Sequence, residues 1–202
     1  SYPLALAVGQ QTGVKTAKEY AAWVNANPKD GSFGTAGAGG HTHFSGIQLG
    51  KAMGVNLQVI PYRGNGPLAT DLLGGQTQAM FPGLAAALPQ IRAGRMRPLA
   101  VTGKERNPVL KDVPTMEEAG FKGFNSLQWY GTVGPAGMAP DLVKRLNETQ
   151  VTVLKSPDLR EKLAAEAVEP WPMTPEQFGA FIRSEIAQWT ALAKARNIQL
   201  EE

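Results

Sequence analysis

Short apolar blocks and polar blocks follow one another along this chain, and their period switches repeatedly between that of a strand and that of a helix. Residues 4–8 (LALAV) are an unbroken apolar run and predict a buried strand. Thr16-Ala17-Lys18-Glu19 is a capping box, in which the Thr oxygen and the Glu side chain satisfy open amides of a starting helix. Ala17, Tyr20, Ala21 and Val24 then recur at i, i+3, i+4 and i+7, and that helix stops before Pro28. Residues 32–35 predict a second strand. Residues 42–53 predict a helix with Phe44, Ile47 and Leu49 available for packing, closed by Gly54. Strands follow at 57–62 (LQVIPY), 79–81 and 98–102 (PLAVT). Between them lie helices at 67–73, ended by Gly74-Gly75, and at 86–93, ended by Gly94.

Strand and helix alternate from residue 4 to about 103, which predicts an α/β sheet of parallel strands joined by right-handed crossovers. The texture then changes. Residues 103–125 are loop-rich, with Pro108 and Pro114, and residues 129–133 (WYGTV) predict a strand. A long helix after GPAGMAP carries Val143, Leu146, Val153 and Leu154 on its expected buried stripe. Ser156-Pro157 and Thr174-Pro175-Glu176-Gln177 start two further helices, each with a capping residue followed by Pro. Phe178, Phe181, Ile182, Ile186, Trp189 and Ala193 line the apolar face of the last. There is no internal repeat, and the shift near residue 125 marks the expected boundary between two lobes.

Composition narrows the class. With 202 residues, 43% apolar and 18% charged, the chain reads as a globular protein of one large domain or two small lobes. No apolar run approaches the roughly 20 residues of a membrane span. The absence of Cys excludes disulfides, thiolate metal sites and a Cys nucleophile. The net charge of +3 comes from basic residues spread along the chain. Nucleic-acid binding would require a basic stripe with interleaved aromatics, whereas a mildly basic protein attracts small anions.

The candidate chemistry sits at two strand-to-helix junctions. Residues 33–46 read FGTAGAGGHTHFSG. A dinucleotide fingerprint fails here, because after Gly37 and Gly39 the third glycine position falls on Thr42. A P-loop fails at Gly46 to Ala52, which is one residue short and has Ala in place of the magnesium hydroxyl. His41 and His43 lack an Asp or Glu within ten residues and there is no third His, so no metal is implied. On the alternative reading His43 caps or packs beneath the loop and His41 sits in solvent. Glycines at such a junction let successive N–H groups turn inward, and a helix N-terminus adds partial positive charge, so the loop reads as an anion cradle or as a tight turn. The hydroxyls of Thr35 and Thr42 are expected to add donors. Tyr62-Arg63-Gly64-Asn65-Gly66-Pro67 is a second junction of the same kind, on the same edge of a parallel sheet. Catalysis finds little support: no G-x-S-x-G occurs, Asp71 and Asp112 stand alone, and Glu117-Glu118 suits a solvated first helical turn.

Five collinear stretches carry a resemblance: PYRGNGPLATDLLGGQTQAMF (61–81), LPQIRAGRMRPLAVTG (88–103), VPTMEEAGFKGF (113–124), WYGTVGPAGMAPDLVKRLN (129–147) and TPEQFGAFIRSEIAQW (174–189). Together they resemble the Bug family, the extracytoplasmic solute receptors of tripartite tricarboxylate transporters, over essentially the whole chain. The resemblance implies a type II periplasmic binding protein in which two α/β lobes close on an organic carboxylate held by backbone amides and hydroxyls. It implies no enzyme activity and no cofactor. It implies a periplasmic location, with the permease subunits of a membrane transporter as partners and no nucleic acid. Dicarboxylates, citrate-like tricarboxylates, acidic amino acids and aromatic acids all suit such a cradle. The alternative function is a carboxylate-sensing regulatory module on the same fold. A small-molecule enzyme on this scaffold would lack a base, a nucleophile and metal ligands.

Residue by residue, Gly34, Thr35, Gly37, Gly39 and His43 match the family's G-[ST]-x-G-x-G-S-x-x-H segment, and Gly40 departs from its usual Ser. Arg63, Gly64, Asn65 and Gly66 match Y-[KR]-G-x-G, and the resemblance implies ligand-facing residues just after the strand ending at Phe81, where Pro82 and Gly83 stand in place of an often polar residue. The expected ligand-binding set is therefore Thr35, Gly37, Gly39, Gly40, His43, Arg63, Gly64, Asn65, Gly66 and Phe81. The resemblance also implies about a third more chain ahead of residue 1 in other members. Residues 4–125 are then expected to form the complete second lobe, and 126–202 the C-terminal part of the first. Two expectations follow: weak or undetectable carboxylate binding by this chain alone, and a homodimer or swapped assembly through apolar surface left exposed on 126–202.

Overall fold

A computed structural model of the chain describes residues 1–124, 126–165 and 168–195. They divide into two compact units. Pro3–Gln128 form one, and Ser1–Tyr2 with the described residues from Trp129 onward form the other. Among the described residues no helix is long and apolar enough to cross a membrane.

The first unit follows the chain's alternation of period. After β1 (Tyr2–Pro3) come β2 (Ala5–Gly9), α1 (Ala17–Ala26), β3 (Ser32–Thr35), α2 (His41–Met53), β4 (Gln58–Pro61), α3 (Asn65–Gly74), β5 (Ala79–Met80), α4 (Leu84–Arg92) and β6 (Met96–Val101). Five strands form one sheet in the order β4-β3-β5-β2-β6. β3 runs parallel to β4 and β5, and β2 runs antiparallel to both β5 and β6. The sheet is therefore mixed: β4, β3, β5 and β6 share one direction and β2 opposes them. The alternating pattern fixes which segments are strands but not their direction. β2 is followed by a 3-10 turn and αL Gly13 before α1, and its partner β5 arrives only after two further strands.

Alternation along β3 sends its residues to opposite faces. Phe33 meets α2, where Gly46 leaves room for its ring, and Gly34 meets Leu68 of α3. Ala7, Leu68, Leu72, Met80, Ala87 and Met96 form a buried cluster that joins α3 and α4 to the sheet. On the α2 side Phe33, Phe81 and Phe124 pack edge to face and tilted, with centroids 5.0 and 6.0 Å apart. Each fully buried Leu or Phe contributes about 1.5–3 kcal/mol, so this core holds the strand ends firmly in place. Both residues of the expected Glu117-Glu118 pair are exposed, in a turn. Glu118 and Thr115 cap each other across that turn, and Glu118 also binds Arg106 at 2.8 Å.

The second unit contains α5 (Pro140–Lys155), α6 (Pro157–Ala165) and α7 (Pro175–Ala195). Two expectations fail here. Residues 129–133 form no strand; the strand nearest to them is β7 (Leu127–Gln128), at the end of the first unit. A β-rich sequence needs a neighbouring strand to take its hydrogen bonds, and none lies along 129–133 among the described residues. The α5 stripe is not buried either: Leu146 and Val153 are 49% and 51% exposed, while Val143 and Leu154 are only half-buried. What holds this unit is an aromatic cluster, with Trp129 and Trp171 edge-on to Phe181 at 5.2 and 5.0 Å.

Candidate functional site

β4, β3 and β5 are adjacent and parallel, so their C-terminal ends lie side by side along one sheet edge. Neighbouring strands are about 4.8 Å apart, which brings the three following loops within roughly 10 Å of one another. Each loop opens a helix, and each helix has glycine as its N-cap: Gly40 for α2, Gly64 for α3 and Gly83 for α4. None of the three receives a side-chain cap. α1 makes the contrast. It follows the reversed strand β2, starts at the opposite edge, and is capped by Thr16, whose oxygen accepts from the Glu19 N–H at 3.1 Å. α7 likewise carries a reciprocal cap between Thr174 and Gln177. The chain thus caps those two helices and leaves open the three N-termini that share this edge, where unpartnered N–H groups and the helix dipoles attract an anion.

The α2 loop is braced from within. The Thr35 hydroxyl donates to the Gly37 carbonyl at 3.3 Å, and Thr42 lies 2.6 Å from Thr35. Each hydroxyl has one proton, so Thr42 donates to Thr35 and neither proton is left for a ligand. Thr35 is fully buried. The expected donor role of these hydroxyls is therefore corrected: they shape the loop. Gly39 adopts φ +68° and donates its N–H to His43 Nδ1 at 2.9 Å. In the neutral ring the proton then sits on Nε2, which is left as a donor. Burial holds the His43 pKa below its ordinary value, so the ring is neutral at pH 7. Among the described residues the N–H groups of Gly37, Ala38, Gly40 and Thr42 have no protein acceptor. A Cβ at Gly37 would meet nothing within 4 Å, and at Gly40 only the Gly37 carbonyl at 4.0 Å. The protein's own packing leaves that space open.

His41 is not in solvent as expected. It is half-buried, and its Nε2 lies 3.2 Å from the hydroxyl of buried Ser126. At the second junction Gly64 takes φ +102°, which only glycine adopts readily. Asn65 and Gly66 are exposed in the first turn of α3. Arg63 is exposed and has no hydrogen-bond or ion-pair partner among the described residues, which leaves it free to meet an anion. Phe81 differs from its expected role. Its side chain is 2% exposed in the core against Phe33 and Phe124, so only its backbone reaches the edge. The third N-terminus, at Gly83, lies outside the expected residue set. Its signal in the sequence is the same as at the other two junctions, a glycine directly ahead of an apolar helix.

A family model described as the tripartite tricarboxylate transporter family receptor matches residues 1–198. Protein BugT of Bordetella pertussis is 30% identical over 199 residues, covering 98% of this chain and 61% of its own length. Among solved structures, R. palustris Rpa4515 with adipate superposes with a TM-score of 0.87 at 30% identity, over 98% of this chain and 66% of that one. The periplasmic binding protein BugD gives 0.84 at 32% identity, over 99% and 68%. The chain thus spans about three-fifths to two-thirds of these relatives. With a match to the family model over almost its whole length, the chain belongs to the tripartite tricarboxylate transporter receptor family.

Proposed function

We propose that this chain acts in a periplasmic receptor that captures a small organic carboxylate and delivers it to the membrane permease of a tripartite tricarboxylate transporter. The observation that carries this reading is the set of three uncapped, glycine-led helix N-termini on one sheet edge. The amides of Gly37, Gly40 and Thr42, the Nε2–H of His43 and the Arg63 guanidinium are the proposed carboxylate donors, with Gly64, Asn65 and Gly66 presenting the α3 turn. Gly39 and Thr35 hold the loop in shape. The adipate in the Rpa4515 structure supports a dicarboxylate as ligand. Residues 4–125 act as the second, ligand-holding lobe and the remainder belongs to the first.

A micromolar ligand needs about 8 kcal/mol of net binding free energy, and hydrogen bonds to a charged group contribute roughly 1.5–3 kcal/mol each. In a site open to water on one side the named donors contribute at the low end of that range, and association itself costs at least about 4 kcal/mol, which leaves this chain an expected affinity for adipate on the order of millimolar. The test is an amide chemical-shift titration with adipate, citrate, glutamate and benzoate. Shifts confined to the amides of residues 37–44, 63–68 and 83–87 are expected for at least one acid. Shifts scattered over the surface, or none at tens of millimolar adipate, would refute the site. Low-micromolar affinity would refute the division of the bonds between two lobes.

A further inference from the structure

A closed ring of hydrogen bonds, built on two buried serine hydroxyls, lies beneath the α2 loop. Ser45 donates to the His41 carbonyl at 2.8 Å, the Ser45 and Ser126 hydroxyl oxygens are 2.5 Å apart, and Ser126 Oγ is 3.2 Å from His41 Nε2. Proton counting fixes its direction. Ser45 spends its one proton on His41, so Ser126 must donate to Ser45, and His41 Nε2–H must then donate to Ser126. Ser45 and Ser126 are 0% and 1% exposed, so water does not compete for the bond between them, while the two bonds to half-buried His41 are part-buried.

The ring connects two different parts of the fold. His41 and Ser45 are in the first two turns of α2, the helix whose N-terminus faces the open edge. Ser126 lies two residues before Gln128, where the chain leaves this unit, and its carbonyl accepts the hydroxyl proton of Thr102. Thr102 in turn accepts from the N–H of Leu4 at 2.8 Å, and its own N–H donates to the Leu4 carbonyl at 2.9 Å. Leu4 lies directly after Pro3, where the chain enters the unit. A continuous path of buried bonds therefore runs from α2 through Ser126 and Thr102 to both points at which the chain crosses between units.

We propose that Ser126 is a positioning residue that couples the first turns of α2 to both crossing segments, so that, on the receptor reading above, carboxylate capture at α2 is transmitted to the connection between units. Ser126 touches no ligand; it acts through His41 and Ser45. Rigid coupling of this kind lets a small shift at a ligand loop bias a larger rearrangement.

The test is native-state amide hydrogen exchange on the full chain without ligand. Ser126→Ala is expected to speed exchange about fivefold both in residues 44–47 and at Leu4, Thr102 and Gln128, the loss of one net hydrogen bond in each local opening. Ser45→Ala is expected to give the same pattern, and the double variant no more than either alone, because both break one ring. Thr12→Ala, which removes a hydroxyl bonded to Gly9 away from the ring, is expected to change neither region. If Ser126→Ala unfolds the unit and exchange rises everywhere, Ser126→Cys replaces it. Acceleration confined to α2, or additive effects of the two substitutions, overturns the coupling. Adipate then tests transmission: in the wild type it slows exchange in both regions, in Ser126→Ala only in α2. A wild type blind to adipate counts against the receptor reading, while the ligand-free comparison still decides the coupling.

Discussion

Three glycines near the α2 loop are glycines for three different reasons, and substituting each by Ala separates them. Gly39 is held at φ +68°, where a Cβ meets the following carbonyl; Gly39→Ala therefore costs about 1–2 kcal/mol. Gly34 faces α3, and a Cβ there collides with Leu68 and stands 3.2 Å from the Tyr62 ring. Gly34→Ala overpacks the core, at about 1–3 kcal/mol. Gly37 has neither constraint: its φ is not positive and its Cβ direction is empty. Gly37→Ala is expected to stabilise the free protein by about 0.4–1 kcal/mol, because the unfolded chain loses freedom. For a unit of this size 1 kcal/mol corresponds to roughly 3–5 °C in Tm, so Gly37→Ala and Gly39→Ala separate in opposite directions by an easily measured interval. If the space beside Gly37 is kept for a carboxylate, the same stabilising substitution weakens adipate binding about tenfold or more, read from the amide-shift titration. A Gly37→Ala protein that melts lower than wild type, or that binds adipate unchanged, refutes the argument that this glycine serves the ligand.

Other outcomes follow from the same geometry. His43 has a folded-state pKa below its ordinary 6.5, so the unfolded chain binds its proton more readily; the stability this gives is complete above about pH 6.5 and is lost as pH falls through the folded value. Thermal melts from pH 8 to 5 are expected to show that slope in the wild type and to lose it in His43→Gln; an unchanged slope in the variant assigns the effect elsewhere. Gly40→Ser places a hydroxyl at the open α2 N-cap, where φ is −81° and ψ 172°, and is expected to raise stability by a few tenths of a kcal/mol and to tighten adipate binding; weaker binding would show that the added side chain blocks the site. In the second unit Glu185 Oε2 accepts from the indole N–H groups of Trp129 and Trp189 at 3.2 and 3.1 Å, so Glu185→Ala is expected to cost about 1–2 kcal/mol in fluorescence-monitored unfolding, and a change below about 0.3 kcal/mol would rule out a structural role.

What the sequence conveyed and what it did not divide along physical lines. Helix starts are encoded locally, by a cap and the residue three positions on, and those at Thr16 and Thr174 are found where the pattern puts them. The two glycine junctions were legible because φ constraints and helix N-termini are also local. Strand direction is not local: nothing within residues 4–8 states that β2 will lie between β5 and β6 and run against both. The exposed stripe of α5 shows the same limit, since amphipathic spacing marks a face that can be buried but not what covers it.

The role of hydroxyls shows the sharpest limit. Thr35, Thr42, Ser45 and Ser126 are all short polar residues, and from composition each could point at a ligand. Their protons are assigned only when partners are known, and the decisive partner of Ser45 lies 81 positions along the chain. Once counted, every one of those protons is used inside the protein. That leaves backbone N–H groups, the His43 imidazole, the Arg63 guanidinium and the exposed Asn65 carboxamide as donors on this edge. Backbone amides tie recognition to the shape of the loop more than to the identity of its side chains, so a cradle of this kind can keep its carboxylate while its sequence changes. Gly40, where the resemblance leads one to expect Ser, would be a change of that sort: it offers no side-chain donor and keeps the amide in place.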